Sequence, residues 1–257
     1  MMAIELSLTN KVALVSGGSR GIGAATVEML AKAGAKVAFN YHKAAVRADK
    51  VVEACGRENA ATFQQELSTP EHARSLVEAT VKHFGRLDIM VANHGIWPPN
   101  DAPIDRMSDE QWMNTMGVNL NSVFGLVKHS VAQMKRQGEG GAVVLISSTA
   151  GQRGEALHCD YAATKGALIS MTKGLSTELA RDKIRVNCVA PGWVATDMAA
   201  PALEDPTIAP KVFATIPLGR AGTPEELAAC IVFLCGEGAG FVTGEVFNVN
   251  GGAVLVG

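Results

Sequence analysis

The sequence lacks a long apolar run, an excess of positive charge and any paired cysteine motif. Its longest purely apolar stretch, 227–235, holds nine residues, well short of the ~20 that a membrane-spanning helix needs. The opening segment places Glu5 where a secretory leader carries apolar residues, so no export address is read there and a cytoplasmic location is expected. Lys and Arg total 23 against 25 Asp and Glu, a net charge of −2. Nothing in that balance neutralises a phosphate backbone, which excludes nucleic acid as a principal partner. The cysteines (Cys55, Cys159, Cys188, Cys230, Cys235) are odd in number, scattered and free of C-x-x-C, which argues against a disulfide framework or structural zinc. The histidines include no H-E-x-x-H, and no catalytic metal is expected. Against these absences stand 47% hydrophobic and 19% charged residues, enough apolar surface for a large core and too much for a disordered chain.

Short β-branched runs alternate with longer segments of helical period. Strands are expected at 11–16, 36–41, 61–67, 87–92, 142–148, 184–190 and 245–250. Helices are expected at 21–32, 44–55, 71–84, 109–137, 161–180 and 224–235, the last with Thr223 as N-cap and Pro224 at its first position. Strands that are apolar at nearly every residue are buried on both faces, which implies a parallel sheet covered by helices on each side. Repeated βαβ units with right-handed crossovers then define an α/β fold: one doubly wound, Rossmann-like sheet of about seven strands in a single domain, 1–257. Pro201, Pro206 and Pro210 interrupt 193–217, which reads as a lid over a binding site.

The first strand runs directly into Ser16-Gly-Gly-Ser-Arg-Gly-Ile-Gly23 and then a helix. Gly17, Gly21 and Gly23, with Ser19, Arg20 and Ile22 between them, suit a tight turn that brings a pyrophosphate onto backbone amides at the positive end of a helix. The second strand ends in Asn40-Tyr41-His42-Lys43, with no carboxylate to accept hydrogen bonds from the ribose hydroxyls of NAD. Arg20, with Lys43 nearby, is suited instead to the 2′-phosphate of NADP, which selects NADP(H) as the cofactor. Lys43 taken alone reads as an ordinary surface cation, and Arg20 within the turn carries the phosphate reading.

Tyr161 and Lys165 are one helical turn apart and share a face. Ser148 ends the fifth strand at the carboxyl edge of the sheet, where ligands of this fold bind. A free tyrosine, with pKa ~10, is a poor proton donor or acceptor at neutral pH. A neighbouring ammonium and a positive nicotinamide favour the phenolate and lower that value.

Taken together, the glycine turn, Asn93-His94-Gly95, Asn119, Ser148, Tyr161-x-x-x-Lys165, Pro191-Gly192 and Thr196 resemble, in order and spacing, a short-chain dehydrogenase/reductase. The resemblance covers essentially the whole chain. It implies that Tyr161 is the general acid/base, protonating a carbonyl oxygen as hydride arrives from NADPH, and that Ser148 polarises that oxygen. It implies that Lys165 binds the nicotinamide ribose and that Asn119 holds a water linking Lys165 to a proton relay. Pro191, Gly192, Val194 and Thr196 are implied to wrap the nicotinamide carboxamide, and Asn93 and Gly95 to shape the end of the fourth strand. Glu66 and Leu67 are implied to lie by the adenine. The chain departs from the family in His94, where alanine is usual, in Glu66, where aspartate is usual, and in Ser16, where threonine is usual.

Ile96, Trp97, His158, Trp193 and Met198 are expected to line the substrate pocket. Such apolar, aromatic walls suit a carbonyl bearing a hydrophobic or cyclic group. The leading reading is therefore reversible, NADPH-dependent reduction of a small-molecule ketone to a secondary alcohol. Reduction of 3-oxoacyl groups on acyl carrier protein is the alternative. Members with that role are similar in carrying basic residues before the fifth strand and midway along the helix after the tyrosine, to dock an acidic carrier. Ala142 and Thr177 stand there in this chain, with Lys135, Arg136 and Arg181 close by, so the carrier is the less favoured partner. A non-catalytic NADPH-binding module is the alternative of another class, and the presence of both Tyr161 and Lys165 argues against it. The apolar segment 241–257 suggests burial against another subunit, and the family resemblance implies a homotetramer.

Overall fold

The computed structural model describes residues 6–256; what was read from Glu5 and Gly257 lies outside them. Seven strands form one parallel sheet: β1 (Val12–Val15), β2 (Lys36–Tyr41), β3 (Ala60–Gln64), β4 (Ile89–Ala92), β5 (Gly141–Ile146), β6 (Ile184–Pro191) and β7 (Val246–Val249). Their order is β3-β2-β1-β4-β5-β6-β7, and each pairing is parallel. The chain therefore winds outward first to one side of β1 and then to the other. That reversal opens a crevice at the carboxyl ends of β1 and β4.

Side-chain alternation along the strands accounts for the two helical layers. Ala13 and Val15, Val37 and Phe39, Ile89 and Val91, and Val144 and Ile146 enter one apolar cluster. Leu14, Ala38, Met90, Ala92, Val143 and Leu145 enter the other. Helices α1 (Gly21–Lys32), α2 (Ala45–Cys55) and α10 (Pro224–Cys235) supply the first cluster through Val27, Leu30, Val51, Val52 and Ile231. Helices α3 (Pro70–Phe84), α5 (Ser122–Gln137) and α7 (Cys159–Leu179) supply the second through Leu76, Leu126 and Leu168. The expected doubly wound α/β sheet with helices on both faces is what the chain forms. Helix α10 starts as expected: Thr223 Oγ1 accepts the Glu226 amide at 3.3 Å while Glu226 accepts the Thr223 amide at 2.8 Å, a reciprocal capping box.

Three segments differ from the expectation. The single helix expected over 109–137 is divided into α4 (Asp109–Met116), a π segment (Gly117–Asn121) and α5. A π turn inserts one residue without disturbing the apolar pattern on either side, so periodicity cannot reveal it. Ser148 lies two residues beyond β5 and caps a short helix, α6 (Thr149–Arg153), that no periodic pattern announces. Within 193–217 the prolines start structure as well as interrupt it. Pro201 and Pro210 occupy the first turns of α8 (Ala200–Leu203) and α9 (Ala209–Ala214), where a missing amide costs no intrahelical bond. The base of that segment is tied down by the Gly222 amide donating to Trp193 at 2.9 Å and the Ala195 amide donating to Gly222 at 2.9 Å.

Candidate active site

The glycine turn fills the crevice at the end of β1. Gly17 has φ +69°, a conformation that leaves its carbonyl facing the first turn of α1, and a Cβ at Gly23 would collide with that carbonyl oxygen and with Asn93 Nδ2. Asn93 Nδ2 donates to the carbonyls of Ser16 at 3.0 Å and Gly17 at 3.3 Å, so the end of β4 fastens the turn. Asn40 fastens it from the other side. Its Oδ1 accepts the Gly17 amide at 2.9 Å and its Nδ2 donates to Gln65 at 2.8 Å. Asn40 is buried and both ends of its amide are committed to backbone, so it shapes the turn from behind and does not face a ligand as anticipated. Ser19 and Leu67 are also buried, Ile22 packs against the core, Tyr41 is half-buried and Glu66 is exposed.

His94, the departure in Asn93-His94-Gly95, bridges two hydroxyls. Its Nδ1 lies 2.7 Å from Ser16 Oγ and its Nε2 lies 2.7 Å from Ser122 Oγ. Ser122 donates onward to the Val118 carbonyl at 2.7 Å. Burial, with Lys165 adding a like charge, pushes the imidazole pKa down to about 3, so it is neutral at physiological pH. The ring thus joins the nucleotide turn to the π segment that carries Asn119.

Tyr161, Lys165, Ser148 and Asn119 converge beside that bridge. Asp160 sets the start of α7: it accepts the Tyr161 amide at 2.8 Å and the Thr115 hydroxyl at 2.8 Å, which anchors the tyrosine turn to α4. Ser148 Oγ accepts the Ala150 amide at 3.1 Å, and its hydroxyl favours the ionised form of the Tyr161 phenol. Lys165 Nζ donates to the Ile146 carbonyl at 2.8 Å and lies 5.6 Å from the Tyr161 ring centre. The Asn119 amide grips Ile96, accepting its N–H at 2.8 Å and donating to its carbonyl at 2.9 Å. A Cβ built on Gly95 would stand 3.3 Å from Asn119 Oδ1 and 3.4 Å from Lys165 Nζ, which measures how closely these groups gather.

Burial governs the electrostatics. It pushes Tyr161 up to about 12, opposed by the Ser148 hydroxyl, and pushes Lys165 down to about 8. The lowering of the phenol expected from the Lys165 charge is not what the protein alone displays: the ammonium is aimed at the Ile146 carbonyl, and loss of water around the phenol outweighs it.

Gly151, which sequence reasoning did not single out, holds α6 on α7. A Cβ there would meet Lys165 C at 2.5 Å and Gly166 N at 2.7 Å, both backbone atoms. Gly151→Ala is expected to cost about 1–3 kcal/mol through overpacking and to lower turnover by shifting Ser148 against Lys165. Thermal unfolding and kcat measured together check this, and an unchanged kcat would show that the helices part without moving the site.

The residues expected to line the substrate pocket separate into two groups. Trp97, Trp193 and Met198 are exposed, as a binding surface requires. Trp97 also sits edge-on to Tyr161 with centroids 4.9 Å apart. His158 differs from expectation: it is buried, stacks on Trp97 at 3.9 Å, and its Nε2 pairs with the Pro98 carbonyl at 3.1 Å. It props the tryptophan loop and presents no free edge to a substrate. A cavity of about 740 Å³ runs along that loop between Ile96–Pro99 and α4, bounded by Ser108, Gln111 and Asn114. On the opposite side Pro191 ends β6, the Gly192 amide donates to Val249 at 3.2 Å, and Val194 is buried. Thr196 packs its methyl against Gly21, so the lid begins in contact with the glycine turn.

One ionic cluster was not legible beforehand. Asp197 pairs with Arg20 at 3.0 Å and also with Arg47 of α2. Arg47 is thereby joined to Arg20 through this carboxylate, a cation that the sequence had not singled out.

The family model described as Enoyl-(Acyl carrier protein) reductase matches residues 17–254. The chain is 38% identical to a 3-oxoacyl-[acyl-carrier-protein] reductase of Synechocystis sp., covering 97% of this chain and 99% of that protein. It is 37% identical to an acetoacetyl-CoA reductase of Rhizobium meliloti, covering 95% and 98%. Its fold superposes with a TM-score of 0.89 on a blue fluorescent protein from a metagenomic library in complex with NADPH, 33% identical over 97% of this chain and 100% of that one. The chain belongs to the short-chain dehydrogenase/reductase family of oxidoreductases. Among the described residues no helix is long and apolar enough to cross a membrane.

Proposed function

We propose that this oxidoreductase uses NADPH to reduce a ketone to a secondary alcohol, with Tyr161 as the proton donor. The observation that carries the reading is the buried Tyr161, one helical turn from Lys165, with the Ser148 hydroxyl near enough to oppose the rise of its phenol. The glycine turn fits a dinucleotide: its amides open at the head of α1, and close backbone packing at Gly23 keeps side chains out of the crevice. NADPH, when bound, supplies the hydride equivalent. Ser19, Gly21 and Ile22 would hold its pyrophosphate, with Gly17 shaping the turn beneath it, Arg20 its 2′-phosphate, Leu67 its adenine, and Gly192, Val194 and Thr196 its carboxamide. Tyr161 donates a proton to the carbonyl oxygen, which Ser148 also bonds, and Lys165, still charged at neutral pH, favours the phenolate left behind. The Asn119 side chain is committed to Ile96, so any water relaying protons from Lys165 rests on main-chain atoms of the π segment.

Reduction of a 3-oxoacyl thioester is the second reading, and the names of the relatives favour it. Ala142 does not weigh against it, because that residue is buried in β5 and reaches no docking surface. Lys135, which could contribute to a shifted basic patch, is paired with Asp182 at 2.7 Å. NADPH oxidation with an acetoacetyl thioester, run beside simple ketones and cyclic diketones, tests both. Fast turnover of the ketones alone supports the first reading, and fast turnover of the thioester with slow ketones replaces it with the second. Arg20→Ala is expected to weaken NADPH about ten-fold or more, the scale of a lost charge-assisted pair, and to leave NADH nearly unchanged. An equal loss for both cofactors removes Arg20 from phosphate recognition.

The same reading treats 1–257 as one domain with 193–217 as its lid, in a cytoplasmic homotetramer. The exposed side chains of Phe241, Leu255 and Val256 support a subunit contact near the C-terminus. Light scattering that finds a monomer overturns the tetramer.

A further inference from the structure

Asp197 draws together three segments that are distant in sequence. Arg20 is the N-cap of α1 in the glycine turn, Arg47 lies in the first turn of α2, and Asp197 follows Thr196 at the start of the lid. Its carboxylate takes Arg20 at 3.0 Å and Arg47 on the same oxygen. The two guanidiniums hold that carboxylate below the usual range, so it is ionised at neutral pH. Two positive charges against one negative leave the cluster short of one anion.

The three side chains are 62%, 55% and 48% exposed. Ion pairs this exposed hold weakly against water and salt and exchange readily. A phosphomonoester brings about −1.5 to −2 charge and three acceptor oxygens, against one charge from Asp197, and guanidinium forks suit it geometrically. The end of β2 offers nothing else to occupy the arginines, since Asn40 is buried and committed to the turn.

We propose that Asp197 is a latch: it occupies the Arg20–Arg47 pair until a 2′-phosphate displaces it, so NADPH, unlike NADH, frees the start of the lid as it binds. The inference rests on the NADPH reading above and adds Arg47 as a second phosphate ligand. It makes cofactor choice and lid mobility one event, because the same two guanidiniums serve both.

Calorimetry on the full chain with NADPH, NADH, 2′,5′-ADP and 5′-ADP tests the competition. Asp197→Asn is expected to tighten NADPH and 2′,5′-ADP by about two- to five-fold, the range open to an exposed pair, with NADH and 5′-ADP unchanged. Arg47→Ala is expected to weaken the two phosphorylated ligands alone. Trypsin cleavage at Lys211, which is exposed on α9, reads the lid itself. In the native protein 2′,5′-ADP should speed that cut and 5′-ADP should not, while in Asp197→Asn the cut should be fast with either. Tighter binding without the protease effect would reduce Asp197 to a repelling charge and overturn the latch. NADPH preference with an indifferent Asp197→Asn also overturns it, whereas a native protein that binds NADPH and NADH alike overturns the underlying cofactor reading.

Discussion

Tyr161→Phe is expected to lower kcat by about 10²–10⁴-fold, the range lost when a positioned acid is removed, while NADPH binds within about two-fold of the native protein. The ring is buried against Trp97 with centroids 4.9 Å apart, and phenylalanine preserves that edge-on contact. The only heavy atom removed is the phenolic oxygen, the group whose pKa the Ser148 hydroxyl lowers. Burial holds the phenol up at about 12, so at neutral pH the proton is in place and available to a carbonyl oxygen. Lys165, pushed down to about 8, sets the upper edge of the useful range: ketone reduction should fall as pH rises above about 8 and the ammonium loses its charge. Equilibrium titration with NADPH and single-turnover rates from pH 6 to 9 separate these effects. A variant retaining more than about a tenth of native turnover would remove Tyr161 from proton transfer, since a remaining general acid would have to be found elsewhere.

The features legible in the sequence are those carried by local periodicity. A parallel strand buried on both faces must be apolar at successive positions, as in Val12–Val15 and Ile89–Ala92, and such runs announce themselves. Tyr161 and Lys165 were legible because helix geometry places residues four apart on one face. Features made by meeting segments were not. Asp197 and Arg47 stand 150 positions apart, and no pattern links them before the sheet brings the ends of β2 and β6 to one edge. His158 was expected in the pocket because it precedes Tyr161 by less than a turn, but a buried ring needs a partner and the Pro98 carbonyl supplies it. The π segment escaped notice for another reason: it is a single wide turn that carries Asn119, and the apolar spacing within α4 and within α5 continues on either side of it.

His94 carries the second large expectation, a loss of stability in mild acid that one substitution should flatten. Its neutral form completes a consistent chain of donors: Ser16 donates to Nδ1, Nε2–H donates to Ser122, and Ser122 donates to the Val118 carbonyl. A proton on Nδ1 would force the Ser16 hydroxyl to turn toward the Val91 carbonyl, a poor 3.4 Å contact, and would add a positive charge near Lys165. The folded pKa is therefore about 3, below the ~6.5 of an unfolded histidine. Between those values the unfolded chain binds a proton that the folded chain refuses, so stability rises with pH there. The contribution is complete above about 6.5 and is lost as pH falls from there toward 3. Part of the residue remains accessible, which holds the expected loss between pH 7 and pH 5 to roughly 1–2 kcal/mol. His94→Gln keeps donor and acceptor capacity but cannot titrate. It should be less stable at pH 7 by about 1–3 kcal/mol, through imperfect pairing of Ser16 and Ser122, yet lose less on acidification. Urea midpoints at pH 5, 6, 7 and 8 for both proteins give the comparison, and the contributions of all other titrating groups cancel in the difference. Parallel curves would mean that His94 takes up its proton as easily in the folded protein as in the unfolded chain, and that the bridge between the nucleotide turn and the π segment survives protonation.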